Sequence, residues 1–335
     1  MVMKRVLLIT TGGTIASRQG AQGLTPQVSS GELLAYVSEL NRNYDIETLE
    51  LLNLDSSNIQ PDQWVEIARA IHGALPRFDG VVITHGTDTM AYTAAAVSFM
   101  LAGLKKPVVF TGSQMPIDNL LTDARNNLYT AFAAVERGIP GVSIAFNRRI
   151  IPGCRAVKVR TMGFEAFESV NAGYLGEVFA DGLRSYVAPA VWPDAPVALR
   201  DSLCRSVFLL KLIPGIRPDI LTALRRMDYR GIVIEAFGAG GMQFVGDSML
   251  EQLGELTRAG VCVAVCSQCL YETSNLTLYE VGARLLGCGV IPARDMTTEA
   301  VVTKLMWALG QTDDPQQVRR MFETSYCGEI APAEG

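Results

Sequence analysis

Hydroxyl-bearing residues gather in four short segments of this 335-residue chain, each placed at the end of an apolar, β-rich run or just beyond it. They are Thr10-Thr11-Gly12-Gly13-Thr14, Asp55-Ser56-Ser57-Asn58, Thr84-His85-Gly86-Thr87-Asp88-Thr89 and Thr111-Gly112-Ser113-Gln114. Open α/β sheets bind ligands outside the carboxyl ends of their parallel strands. Four such loops at one sheet edge would therefore line a polar, neutral-to-acidic pocket. A threonine in it could act as a nucleophile only if a base took its proton during attack. His85 is a base by type, although a histidine between strand and loop also serves to tie loop backbone. The other histidine is His72 on a helical stretch, so a Ser/His/Asp triad has little support. Lys158, in Arg155-Ala156-Val157-Lys158-Val159-Arg160-Thr161, is the second candidate base. Burial among apolar neighbours would favour its neutral amine and free a lone pair. Asp88, next to Thr87, would orient the pair or supply a counter-charge.

The glycine pair at 12 and 13 admits another use, since glycines after a first strand often let backbone amides approach a phosphate. The spacing here is neither GxGxxG nor GxxxxGK[ST], and no lysine stands nearby to meet a phosphate. A non-catalytic nucleotide-binding module is therefore the reading from a different class. Its competitor is that the glycines bring a threonine hydroxyl close to a small substrate.

The elements that must hold these loops follow from periodicity. Val6 to Thr10, Gly80 to Thr84 and Pro107 to Thr111 read as buried strands. Ser30 to Leu40 and Trp64 to Leu75 carry apolar residues at helical spacing, with Pro61 and Asp62 opening the second helix. The alternation predicts right-handed βαβ units and a largely parallel sheet. A proline-rich stretch, Ala188 to Ala198, predicts an interdomain linker. Beyond it the pattern resumes with strands at Val207 to Leu212, Gly231 to Ile234 and Val261 to Val265, and helices at Pro218 to Arg226 and Leu250 to Arg258. The expected architecture is two α/β domains, a larger N-terminal one (1–187) and a smaller C-terminal parallel-sheet one (205–335), joined by residues 188–204.

Composition bounds the partners. Hydrophobic residues make up 49% of the chain, enough for a sizeable core, and the formal net charge is −5 without runs of like charge. Counterion-release binding to nucleic acid would want a basic face, and none is visible. No stretch approaches the roughly 20 apolar residues a spanning helix needs, and the first apolar run has no cleavage site after it. No membrane and a cytoplasmic location are expected. Seven cysteines, an odd number scattered through apolar segments, read as reduced core thiols. Cys262, Cys266 and Cys269 are close in sequence, but without a CxxC pair or a nearby histidine they predict no metal site.

With these residues in place, the chain resembles the bacterial type I (cytoplasmic) L-asparaginases of the asparaginase/glutaminase family. The likeness rests on Thr11-Gly12-Gly13-Thr14-Ile15-Ala16 and on Gly80-Val81-Val82-Ile83-Thr84-His85-Gly86-Thr87-Asp88-Thr89-Met90. The Asp55-Ser56-Ser57 loop stands between them and Gly112-Ser113-Gln114-Met115-Pro116 follows. It implies an L-asparagine amidohydrolase in which Thr14 forms a β-aspartyl ester and Thr87, Asp88 and Lys158 form a second hydroxyl–acid–lysine cluster. Ser57 and Asp88 would hold the α-carboxylate and α-ammonium of the substrate, Asp55 and Ser56 would shape their loop, and Ser113 would add a contact. No metal or organic cofactor is implied. The resemblance also implies a homodimer or homotetramer, with Gly238-Ala239-Gly240-Gly241 as a contact segment and each site completed by a neighbour.

Three positions depart from relatives. The lid segment Ser17 to Gln27 lacks a tyrosine, with Leu24 near its place. Glu235 stands for an effector-site arginine and Val157 for a threonine, while Cys269 matches, so hyperbolic asparagine kinetics are expected. The rivals within the chemistry are a glutaminase-asparaginase and the amidase subunit of a tRNA amidotransferase. The latter typically carries an extra N-terminal domain, whereas this sequence opens directly on its first strand.

Overall fold

A computed structural model of the chain describes residues 3–20, 23–188, 197–246 and 248–332. The chain forms two compact units, Met1–Asp201 and Ser202–Gly335. Residues 189–196 of the expected linker lie outside the described residues.

The first unit opens with β1 (Lys4–Gly12), whose Val6, Leu8 and Ile9 are fully buried. A 3-10 turn over Thr14–Ala16 leads into the hairpin β2 (Ser17–Gly20) and β3 (Gly23–Pro26). Helix α1 (Ser30–Ala35) and strand β4 (Tyr44–Leu54) follow. The alternation then continues through α2 (Pro61–Ala74), β5 (Gly80–Thr84), α3 (Met90–Met100), β6 (Pro107–Thr111), α4 (Ala124–Glu136) and β7 (Gly141–Phe146). Every residue of β5 and β6 is buried, as expected of parallel strands covered on both faces. Every residue of α3 except Tyr92 is buried too, so this helix is a core element rather than an amphipathic one.

The remaining strands of this unit are β8 (Arg149–Pro152), β9 (Ala156–Lys158), β10 (Phe167–Ser169), β11 (Gly176–Phe179) and β12 (Gly182–Ser185). The main sheet has eight strands in the order β12-β11-β8-β7-β6-β5-β1-β4. The five from β7 to β4 are parallel, and the other three join antiparallel. From β1 the chain moves to one side, to β4, and then crosses to β5 on the other side. The β1–β5 junction is thus a topological switch point, where an open α/β sheet leaves a crevice at its carboxyl edge.

Two sequence expectations are corrected. The helix expected over Ser30 to Leu40 stops at Ala35 and a 3-10 turn takes over at Ser38–Arg42. Val37, β-branched and preceded by Tyr36, adopts φ −129 and ψ 36, outside the helical region. Leu33, Val37 and Leu40 are buried all the same, so the apolar spacing reported the buried face and not the backbone state. The antiparallel strands β8 to β12 are absent from the sequence expectation, because runs of three or four residues carry too little periodicity to read.

The second unit repeats the style on a smaller scale, with β13 (Val207–Lys211), α5 (Asp219–Arg226), β14 (Gly231–Ala236), α6 (Leu250–Arg258) and β15 (Cys262–Ser267). Then come α7 (Glu280–Gly287), β16 (Ile291–Pro292), α8 (Thr298–Gln311) and α9 (Pro315–Glu323). Its four strands are all parallel, in chain order. Both units are α/β, the larger with a mainly parallel sheet and the smaller with a parallel one.

Candidate active site

The loops after β1 and β5 meet at the switch point through glycine. Gly13 lies at φ 79, and a Cβ there would stand 2.4 Å from both N and Cα of Gly86. Such an approach of two backbones excludes any side chain at either position. A Cβ on Gly86 would in turn meet Ser56 Oγ at 2.6 Å, and one on Gly112 would meet His85 O at 2.3 Å. Three glycines therefore stack the loops after β1, β5 and β6, with the Ser56 loop after β4 wedged against them. Thr14 follows the first of these contacts directly and Thr87 follows the second.

Thr87 is 5% exposed. Lys158, the last residue of β9, donates from Nζ to Thr87 Oγ1 at 2.8 Å and to Asp88 Oδ1 at 2.5 Å. The side chain of Lys158 is 16% exposed and that of Asp88 is 64% exposed. The lysine is thus enclosed against its two partners while the carboxylate keeps an open face. Asp88 also sits just before the N-terminus of α3, where the helix dipole favours negative charge.

The other predicted residues have local roles in the same region. Asp55 caps the 3-10 turn Ser56–Asn58 by accepting from Ser57 N at 2.8 Å and Ser57 Oγ at 2.6 Å. Ser56 is buried; its Oγ accepts from Asp88 N at 3.2 Å and its carbonyl from Thr89 Oγ1 at 2.7 Å. Ser113 is buried and donates to Met115 O at 2.5 Å. His85 is fully buried: Nδ1 meets Gly86 O at 2.7 Å and Nε2 meets Thr93 Oγ1 at 3.0 Å. Because a carbonyl only accepts, Nδ1 carries the proton and Nε2 accepts from the threonine. Burial pushes this imidazole down to about 4, against the Gly86 bond that favours its charged form. His85 ties its own loop, and both its ring nitrogens are occupied. The side chain of Leu24 in the lid lies outside the described residues.

Sequence reasoning missed the residues that hold Ser113 and Gln114 in place. Asp123, 9% exposed, accepts from Gln114 N with both oxygens at 3.1 Å and from Met115 N at 3.2 Å. Burial raises its carboxyl above the usual range, against the donors that favour its charge. Asn127 spans Asp123 Oδ2 and Gly112 O at 2.9 Å each. Gln114 itself accepts at Oε1 from Thr87 Oγ1 at 3.3 Å. An Asp and an Asn four apart at the start of a helical pattern, just after the Ser113-Gln114 loop, were the available signal.

In the second unit the polar groups at the carboxyl edge satisfy one another. Glu235 pairs with Lys211 at 3.2 Å and accepts from Thr298 Oγ1 at 2.7 Å. Gln268 Nε2 donates to the carbonyls of Leu212 at 2.6 Å and Glu235 at 3.0 Å. Cys262 and Cys266 are buried on β15 and Cys269 is exposed. Among the described residues no group of three or more His, Cys, Asp or Glu could hold a metal ion, and no helix is long and apolar enough to cross a membrane.

Fold and site together define a doubly wound α/β protein with a threonine–lysine–aspartate cluster at the switch point of its larger sheet. Comparison with known proteins gives the family. Residues 5–190 match the asparaginase N-terminal domain, and residues 206–322 match the glutaminase/asparaginase C-terminal domain. An L-asparaginase from Thermococcus kodakarensis is 42% identical over 327 residues, spanning 97% of this chain and 99% of that one. The solved structure of the thermostable L-asparaginase from that organism superposes with a TM-score of 0.92 at 41% identity, over 98% of this chain and all of the other. One component of the glutamyl-tRNA(Gln) amidotransferase from Pyrococcus horikoshii is 37% identical over 98% of this chain and 77% of its own length. The chain belongs to the asparaginase family.

Proposed function

We propose that the chain hydrolyses the side-chain amide of L-asparagine to L-aspartate and ammonia, through a β-aspartyl ester on Thr14. The observation that carries this reading is the contact of Lys158 Nζ with both Thr87 Oγ1 and Asp88 Oδ1. It lies on the loop whose Gly86 backs onto Gly13, the neighbour of Thr14. Thr14 Oγ1 attacks the amide carbon while its proton passes to the Thr87–Lys158 pair. The backbone N–H of Thr87 receives the developing oxyanion, a contribution of about 3 kcal/mol in such sites. Collapse of the tetrahedral adduct breaks the C–N bond, and the nitrogen takes up a proton and leaves as ammonia. Water then adds to the ester carbon and gives its proton to the same pair, aspartate departs, and Thr14 recovers its hydroxyl. No step calls on a metal or organic cofactor.

The open face of the Asp88 carboxylate suits the α-ammonium of the substrate. Ser57, whose hydroxyl points at Asp55, turns its proton to the α-carboxylate. Asp55 and Ser56 shape that loop and Ser113 adds a contact from the loop after β6 at the same sheet edge. A zwitterion held by only one of its charges would lose affinity, so both contacts belong to the reading. The same reading carries a cytoplasmic homodimer or homotetramer that meets its copies at Gly238-Ala239-Gly240-Gly241.

The test is ammonia release from asparagine, followed by intact-mass analysis of acid-quenched enzyme. Activity in the wild type, its loss in Thr14→Ala, and an aspartyl adduct mapped to Thr14 are expected. An adduct on Thr87 would overturn the assignment of the nucleophile. The match of residues 206–322 to a glutaminase/asparaginase C-terminal domain favours a second reading in which glutamine is the substrate. One methylene is worth only about 1–3 kcal/mol in a pocket, so the same assay on glutamine decides between them.

A further inference from the structure

Gln114 bonds one partner of the proton-handling pair directly and the turn of the hairpin that carries the other. Its Oε1 accepts from Thr87 Oγ1 at 3.3 Å, and its Nε2 donates to Thr161 O at 3.2 Å and Gly163 O at 3.1 Å. The two carbonyls accept only, so the amide nitrogen must face them and the amide oxygen must face Thr87. The side chain therefore has one orientation. Its mount is equally fixed, because the Gln114 N–H is held by both oxygens of Asp123, and Asn127 ties Asp123 to Gly112. Residues 161 and 163 form the tip of the β9–β10 hairpin, which is closed by Val159 N donating to Ala166 O at 2.8 Å. Lys158 ends β9, one residue before that turn.

We propose that Gln114 is a positioning residue for the reaction, setting the Thr87–Lys158 contact by gripping the hydroxyl with one end of its amide and the lysine-bearing hairpin with the other. This rests on the reading of Thr87 and Lys158 as the pair that moves protons. The grip also assigns the hydroxyl proton. With Lys158 donating to Thr87 Oγ1, the Thr87 O–H is left to point at Gln114 Oε1. The oxygen thus keeps its second lone pair free for a proton arriving from the attacking nucleophile, and as that proton arrives the hydroxyl's own proton leaves Gln114 Oε1 and passes to Lys158 Nζ. The tip itself is open to solvent at Met162, 85% exposed, and Arg160 Nη1 braces it from within by donating to Glu165 O at 2.9 Å. An amide lost at position 114 would release the hairpin and the hydroxyl together.

Two variants separate this from a purely structural role. Gln114→Met keeps side-chain length and removes both polar ends. Gln114→Glu keeps an acceptor for Thr87 and sets a carboxylate against two carbonyls. In Gln114→Met, kcat for asparagine falls about 10–100-fold, the order expected for a misplacement near 1 Å, while KM changes less than about threefold. In Gln114→Glu the pH profile of kcat moves to higher pH, because added negative charge makes the cluster retain its proton. In both, amides of 160–165 exchange hydrogen faster. Wild-type kcat in Gln114→Met, with only the unfolding midpoint lowered, overturns the proposal and leaves the proposed function standing. A wild-type chain that releases no ammonia from asparagine or glutamine overturns both.

Discussion

Two lysine–carboxylate pairs, one in each unit, use the same chemistry to opposite ends. Lys158 and Asp88 lie 2.5 Å apart with side chains 16% and 64% exposed, and the second partner of the lysine is a hydroxyl. Lys304 and Glu329 lie 2.7 Å apart with both side chains fully buried. There the ammonium also donates to the carbonyls of Phe322 at 3.1 Å and Thr324 at 2.8 Å. Glu329 in turn accepts from the backbone of Tyr326 and Cys327 at about 3 Å. Burial pushes the Glu329 carboxyl up, but the Lys304 charge and these donors outweigh it and hold the group below the usual range. What separates the proposed catalytic pair from the structural one is what remains unfilled. Asp88 keeps an open face to solvent, whereas the Lys304 pair has none, its lysine closed by two carbonyls and its carboxylate by backbone N–H groups and the Ser325 and Cys327 side chains.

Substitutions on each side test that contrast, the largest effect first. Lys158→Met removes the proton carrier and should cut kcat by about 10²–10⁴-fold. Because Asp88 is well exposed, losing this half-open pair should move the unfolding free energy by no more than about 1 kcal/mol. Glu329→Gln should do the reverse. Removing one partner of a sealed pair leaves a buried charge and costs about 3–5 kcal/mol of stability. The activity of the molecules that stay folded should be unchanged. Steady-state kinetics and urea unfolding on both variants check the crossing. A Lys158→Met variant that loses stability while keeping kcat would reverse the assignment.

The same contrast explains what could be read from the sequence. The Thr14, Asp55, Thr87 and Ser113 loops were legible because each stands at the end of an apolar run or just past it, and parallel strands put such ends at one edge. β5 and β6 match their expected limits to the residue. Lys158 was harder, since its neighbours at 156, 157 and 159 said only that the surroundings are apolar. Its reach to Thr87 depends on the short β9–β10 hairpin, and three-residue strands leave no period to detect. Asp123 showed only as an acid four residues before Asn127 at the start of a helical pattern, and Gln114 only as the end of a hydroxyl loop. What each holds was not legible, because contacts separated by 8 to 49 residues leave no local signature. The Lys304–Glu329 pair is hidden in the same way, both residues looking in sequence like ordinary surface charges.

His85 tests the contrast from inside the proposed catalytic motif. It precedes Gly86-Thr87-Asp88, yet it is sealed in the manner of Lys304, with each ring nitrogen bonded and the ring fully buried. The folded protein holds it neutral down to about pH 4, while in the unfolded chain it titrates near pH 6.5. Between those values the unfolded state binds more protons, so stability rises with pH across this window. Above it His85 is neutral in both states and adds no pH dependence. Followed toward acid, the stabilisation is present above pH 6.5 and lost as pH falls to 4, about 3 kcal/mol in all. Carboxylates such as Glu329, held below their usual range, also lose stability toward acid, so the histidine share must be taken as a difference. Urea unfolding of the wild type and of His85→Gln at pH 6.5 and pH 4 isolates it. The wild type should lose about 3 kcal/mol more than the variant over that interval. Parallel losses would mean that the imidazole is not sealed, and would reopen His85 as a base for the threonine beside it.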